Sequence, residues 1–91
     1  MLYKRIVVKG VVQGVGFRAF IYKTAQKLPS IKGYVRNLPD NSVEIVCTGL
    51  QHEIEELINA AKRGPALSIV ESVEVEEVNL PENFQTFSIK Y

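Results

Sequence analysis

The sequence predicts an α+β fold, a two-layer sandwich in which two helices cover one face of an antiparallel sheet. Three observations point to it. Apolar residues repeat at strand spacing in five runs and at helical spacing in two, in the order β-α-β-β-α-β with a short further strand at the C-terminus. The second and third strand runs are separated only by Leu38-Pro39-Asp40-Asn41, too short for a parallel crossover, so they form an antiparallel hairpin. Each helical run has a single apolar stripe and therefore packs on one side only.

Taken in order, Tyr3 to Val12 is rich in β-branched residues and reads as a buried strand, with Ile6, Val8, Gly10 and Val12 on one face. From Phe17 the period lengthens. Phe17, Phe20, Ile21, Thr24, Ala25 and Leu28 line one stripe of an amphipathic helix, which Pro29 ends. Ile31 to Leu38 forms the second strand and Ser42 to Thr48 the third, with Val43, Ile45 and Cys47 on its buried face. Gly49 opens the second helical region, whose stripe is Ile54, Leu57, Ile58 and Ala61. Its end is marked by Lys62-Arg63-Gly64-Pro65, a basic last turn followed by glycine and proline. Ser68 to Val78 alternates as a strand with one wet face, and Phe87, Ile89 and Tyr91 alternate in a short last strand. This order is that of a ferredoxin-like sandwich with an extra C-terminal strand.

At 91 residues, 46% hydrophobic and 23% charged, the chain has the length for one hydrophobic core, so residues 1–91 are expected to form a single soluble domain, taken as a monomer. Lys9 and Gly10 interrupt the apolar run Ile6-Val7-Val8 before it could serve as a signal-peptide core, and no segment has the length of a membrane span. Cys47 is the only cysteine, which rules out an intramolecular disulfide and fits a reducing compartment, the cytoplasm. Charge is unevenly spread. Lys4, Arg5, Lys9, Arg18, Lys23, Lys27, Lys32 and Arg36 precede the first carboxylate, Asp40: if the first strand and helix frame a pocket, this half turns a positive field toward an incoming anion, and the alternative is that these are ordinary solvated side chains.

The segment Gly10-Val11-Val12-Gln13-Gly14-Val15-Gly16-Phe17-Arg18 leads from the first strand into the first helix. Glycines at 14 and 16 permit positive φ, so successive peptide N–H groups can converge on one anion beside the positive end of a helix. Arg18 adds a planar fork of donors that stays charged. The alternative is a tight strand-to-helix turn with Arg18 at the surface. Gly14-x-Gly16-x-x-Ala19 also matches the dinucleotide fingerprint, but the hairpin that follows has no place in a parallel dinucleotide fold. No Gly-Lys-Ser or Gly-Lys-Thr follows, so the loop is not the nucleotide P-loop either.

Other chemistries find little support. His52 falls in or just before the second helix, Cys47 lies on a buried strand face, and Ser30, Ser42, Ser68 and Ser72 have no histidine or lysine partner at a defensible spacing. Glu53, Glu55, Glu56 and the glutamates from Glu71 to Glu77 are expected on wet faces, without the His or Cys cluster a metal site needs. Neither a metal nor a cofactor is expected. The third strand carries Glu44 and no aromatic residue, the wrong surface for stacking bases, so no nucleic acid is expected as a partner.

The motif Gly10-x-Val12-Gln13-Gly14-Val15-Gly16-Phe17-Arg18, followed by Gly33-Tyr34-Val35-Arg36-Asn37 and the later Gly64-Pro65, resembles the acylphosphatase family over essentially the whole chain. That resemblance implies a ferredoxin-like hydrolase that cleaves the carboxyl-phosphate bond of small acyl phosphates without a metal. Arg18 and the backbone amides of Gly14, Val15, Gly16, Phe17 and Arg18 would hold the phosphate, and Asn37 would position the attacking water. The family often has Asp-Gly in the turn after the second strand; here it is Asp40-Asn41, and Asn tolerates positive φ better than most residues. The first and second strands are expected to be neighbours, which would bring Asn37 to the edge carrying Arg18. Arg36, on the other face by alternation, is assigned to solvent or outer substrate attraction. Tyr3, Tyr22 and Tyr34 are candidates for an acyl-side pocket or for packing. A non-catalytic anion- or protein-binding module of the same fold is the alternative function.

Overall fold

The computed structural model describes residues 2–91. Its elements are β1 (Leu2–Val11), α1 (Phe17–Gln26), β2 (Lys32–Asn37), β3 (Val43–Thr48), α2 (Gln51–Arg63), β4 (Ile69–Asn79) and β5 (Phe87–Lys90). The five strands form one sheet in the order β4-β1-β3-β2-β5. This is the expected α+β sandwich, with two differences in strand placement.

First, β1 and β2 are not neighbours. β3 lies between them, pairing antiparallel with both. Because each opposes β3, β1 and β2 run in the same direction and end at the same edge of the sheet, so their C-terminal ends come together without adjacency. Second, β5 pairs parallel with β2, matching Val35 with Ile89 and Arg36 with Lys90, which makes an otherwise antiparallel sheet mixed. Residues 80–86 carry the chain to that far edge. On the way Leu80 and Phe84 pack on Tyr3, Val46 and Tyr34, which belong to β1, β3 and β2 in turn.

The main core lies between the sheet and the helices. Ile6, Val8, Val35, Val43, Ile45 and Cys47 meet Phe17, Ile21 and Ala25 of α1 and Ile54, Leu57 and Ala61 of α2. Full burial of each large apolar side chain contributes about 1.5–3 kcal/mol, so the inner face dominates the packing energy. Burial also pushes the Cys47 thiol up to about 12, leaving it an unreactive core residue as expected.

One expectation about charged residues is corrected. Glu53 is buried, not wet: its carboxylate accepts hydrogen bonds from the Ser30 amide and hydroxyl, and these bonds hold its carboxyl below the ordinary range. The Ser30 hydroxyl oxygen in turn accepts from the Leu50 amide at the start of α2, so the pair ties that helix to the loop before β2. Arg36 faces away from Val35 and is exposed, as expected, and it also makes an ion pair. Its Nε donates to Glu44 at 2.6 Å while Arg5 donates to the same carboxylate. Glu44 is 3% exposed. Burial works to raise its carboxyl, but the hydrogen bonds and charges of Arg5 and Arg36 outweigh it and hold the group below the usual range.

Candidate active site

The chain leaves β1 through Val12, which is buried, and enters α1 at Phe17, also buried, so the intervening loop is anchored at both ends in the core. Between them Gly14 and Gly16 adopt φ of 75° and 79°. A Cβ built at either position meets no heavy atom within 4 Å, so it is the left-handed backbone and not crowding that calls for glycine. Gly16 is the N-cap residue of α1. It offers no side-chain cap, and the first turn of the helix contains no acidic residue. The leading amides therefore lack the partners that a capping side chain would supply, while the Phe20 amide closes the first helical bond on the Gly16 carbonyl at 3.0 Å.

Beside this helix start lies a cavity of about 150 Å³ lined by Val12, Gly14, Gly16, Phe17, Arg18, Ala19, Asn37, Ile89 and Tyr91. Arg18 and Asn37, singled out from the sequence, thus share one cavity. Gly14, Gly16 and Phe17 line it too, whereas Val15 instead packs against the core. Asn37 ends β2 opposite Val43, on the same face as Val35. Its Oδ1 is buried and accepts no hydrogen bond, the one buried side-chain polar atom so left among the described residues. Such an atom costs about 1–3 kcal/mol of desolvation.

Tyr91 and Ile89 were not read from the sequence as site residues. The parallel pairing of β5 with β2 brings the C-terminal end of β5 to the end of β2, and the Arg18 guanidinium sits 4.8 Å from the centre of the Tyr91 ring. Only that pairing, invisible to local pattern, reveals the contact. The three tyrosines considered from sequence lie elsewhere. Tyr3 and Tyr34 pack with Phe84 on the outer face, and Tyr22 sits exposed on α1.

The expected positive field is also narrower than the charge count implied. Lys4, Arg5, Lys9 and Arg36 are ion-paired to Glu77, Glu44, Glu74 and Glu44, and among the described residues Arg18 is the one charged side chain lining the cavity. Among the described residues, no His, Cys, Asp or Glu lines it. At the turn after Asn37, Asn41 takes φ of 72° and Asp40 accepts from the Ser42 amide and hydroxyl. The Asp40-Asn41 pair thus accommodates the positive φ for which Asp-Gly is often used.

With its glycine loop, its uncapped helix start and its strand-end asparagine in place, the chain belongs to the acylphosphatase family, whose model matches residues 4–89. It is 54% identical over 88 residues to the acylphosphatase of Caldivirga maquilingensis, covering 96% of this chain and 92% of that protein. The crystal structure of acylphosphatase from Bacillus subtilis matches it with a TM-score of 0.89 at 40% identity, over 100% of both chains. A further likeness is to part of a larger protein, the probable carbamoyltransferase HypF of Methanocaldococcus jannaschii. There the identity is 45% over 86 residues, covering 93% of this chain and 11% of that protein.

Proposed function

We propose that residues 1–91 act as one domain that hydrolyses the carboxyl-phosphate bond of small acyl phosphates, giving a carboxylate and inorganic phosphate. The observation that carries this reading is the meeting, in one cavity, of Arg18, the open helix start and the unpaired Asn37 carbonyl oxygen. In it, the amides of Gly14 through Arg18 and the Arg18 guanidinium bind the phosphate oxygens, where charge must be stabilised as the transferring group separates. Asn37 Oδ1 accepts a hydrogen bond from water and holds it in line with the scissile bond. The water oxygen bonds to phosphorus as the bond to the carboxyl oxygen breaks, and that electron pair leaves with the carboxylate. Asparagine is too weak a base to keep the proton, which passes to a phosphate oxygen of the substrate.

A carboxylate is a good leaving group, so neither a covalent nucleophile nor a metal is required, in keeping with a lining that, among the described residues, offers Arg18 as its only charged side chain. The lone, buried Cys47 supports placing the protein in a reducing compartment, the cytoplasm, and no helix among the described residues is long and apolar enough to cross a membrane. We take the working unit to be the monomer. The test is release of phosphate from a small aromatic acyl phosphate by the purified chain. Turnover should be competitively inhibited by inorganic phosphate and unaffected by a chelator. Phosphate binding without turnover would favour the anion-binding module, and loss of activity on chelation would bring in a metal.

A further inference from the structure

The two halves of the cavity sit on strands that are not paired with each other. The β1–β3 ladder ends at Val8 opposite Val43, and the β2–β3 ladder ends at Asn37 opposite the same Val43. Beyond that point Lys9 to Val11 pair only with β4, so no ladder holds the glycine loop to the segment that follows Asn37. Among the described residues, one side chain hydrogen-bonds across the gap. Gln13 Nε2 donates to the carbonyl oxygens of Leu38 and Ser42, both at 2.8 Å.

Those two carbonyls are the closing groups of the β2–β3 turn. The Leu38 amide donates to the Ser42 carbonyl at 2.9 Å, and the Asn41 amide donates to the Leu38 carbonyl at 3.2 Å. Gln13 therefore uses both hydrogens of one amide to grip the turn at its neck, directly after Asn37. The glycine loop has its own anchors in buried Val12 and Phe17, whereas Pro39, Asp40 and Asn41 are exposed. If the bridge is cut, the turn is the side free to move.

The geometry points to Gln13 as a positioning residue for Asn37: it fixes the height of the water-binding carbonyl over the phosphate loop without itself lining the cavity. This rests on the reading of Asn37 given above. The role needs two donors and no charge. Methionine has the same reach with no donor, and glutamate sets a carboxylate against two carbonyl oxygens.

The test measures kcat and inhibition by inorganic phosphate for Gln13→Met, Asn37→Ala and the double variant, with the same acyl phosphate. Gln13→Met should lower kcat about 10- to 100-fold, the scale on which a small misplacement of a reacting group acts. Phosphate inhibition should stay near wild type, and the loss should nearly vanish when Gln13→Met is added to Asn37→Ala, because the group it positions is gone. Gln13→Glu should show the same low kcat at neutral pH and regain activity as acid lets the carboxyl donate one hydrogen. It also serves as the second variant should the methionine substitution fail to fold. Wild-type kcat in Gln13→Met, losses that multiply with Asn37→Ala, or an equal loss of phosphate affinity would overturn the role. Full activity in Asn37→Ala would remove the underlying reading of Asn37 itself, and a loss there with none in Gln13→Met would remove only the part given to Gln13.

Discussion

The two faces of the sheet treat their polar groups in opposite ways. On the outer face Glu44, 3% exposed, is gripped by Arg5 and Arg36, and its carboxylate is satisfied from both sides. On the helix-covered face Asn37 leaves a buried oxygen without a donor, beside a helix start that no side chain caps. Both are polar groups on neighbouring strands, one residue from direct register. The satisfied set behaves as structure, joining β1, β2 and β3 through one carboxylate. The unsatisfied set keeps hydrogen-bonding capacity that the fold does not consume, which is what a ligand needs.

Substitutions should therefore separate the two. The largest effect is expected at Arg18. Arg18→Ala should reduce turnover by roughly 10²-fold or more, and Arg18→Lys nearly as much because an ammonium lacks the planar fork. Steady-state kinetics with an unchanged melting temperature would place Arg18 wholly on the functional side of the comparison. Glu44→Gln should do the reverse, lowering unfolding free energy by about 1–3 kcal/mol in denaturant titration with kcat little changed. The acid limb supplies the matching pH test. Glu44, Asp40 and Glu53 are all held below their ordinary values, so the stability they supply is present above the unfolded carboxylate range, about 3.9–4.3, and is lost as pH falls through the folded values. In Glu44→Gln this acid-induced loss should be shallower than in wild type.

Much of this was legible in the residues. Period and punctuation located both helices, the hairpin and the edge strands, because each depends on neighbours within a few positions of the chain. Asn41 at φ of 72° was legible for the same reason, since a short turn selects residues that tolerate a left-handed backbone. What local pattern could not convey was which strands pair. A two-residue period tells which side chains share a face and nothing about the strand alongside. So β1 was set beside β2 instead of β3, and Tyr91 was not placed next to Arg18. Glu53 was misplaced, and the ion pair of the exposed Arg36 was missed, for a related reason. Each looks solvated within its own element, and each finds its partner, Ser30 or Glu44, on another. The pairing of Arg18 with Asn37 came from the family resemblance, and the common direction of β1 and β2 supplies its physical basis.

Asn37→Ala tests the central claim most directly, because it removes the unsatisfied oxygen and the proposed water ligand in one step. Measured together, kcat should fall by roughly 10²-fold, inhibition by inorganic phosphate should stay near wild type, and the melting temperature should be unchanged or higher once a buried, unpaired acceptor is gone. A variant that melts lower yet turns over acyl phosphate as fast as wild type would contradict the account, since Asn37 would then be a structural residue and not the one that holds water.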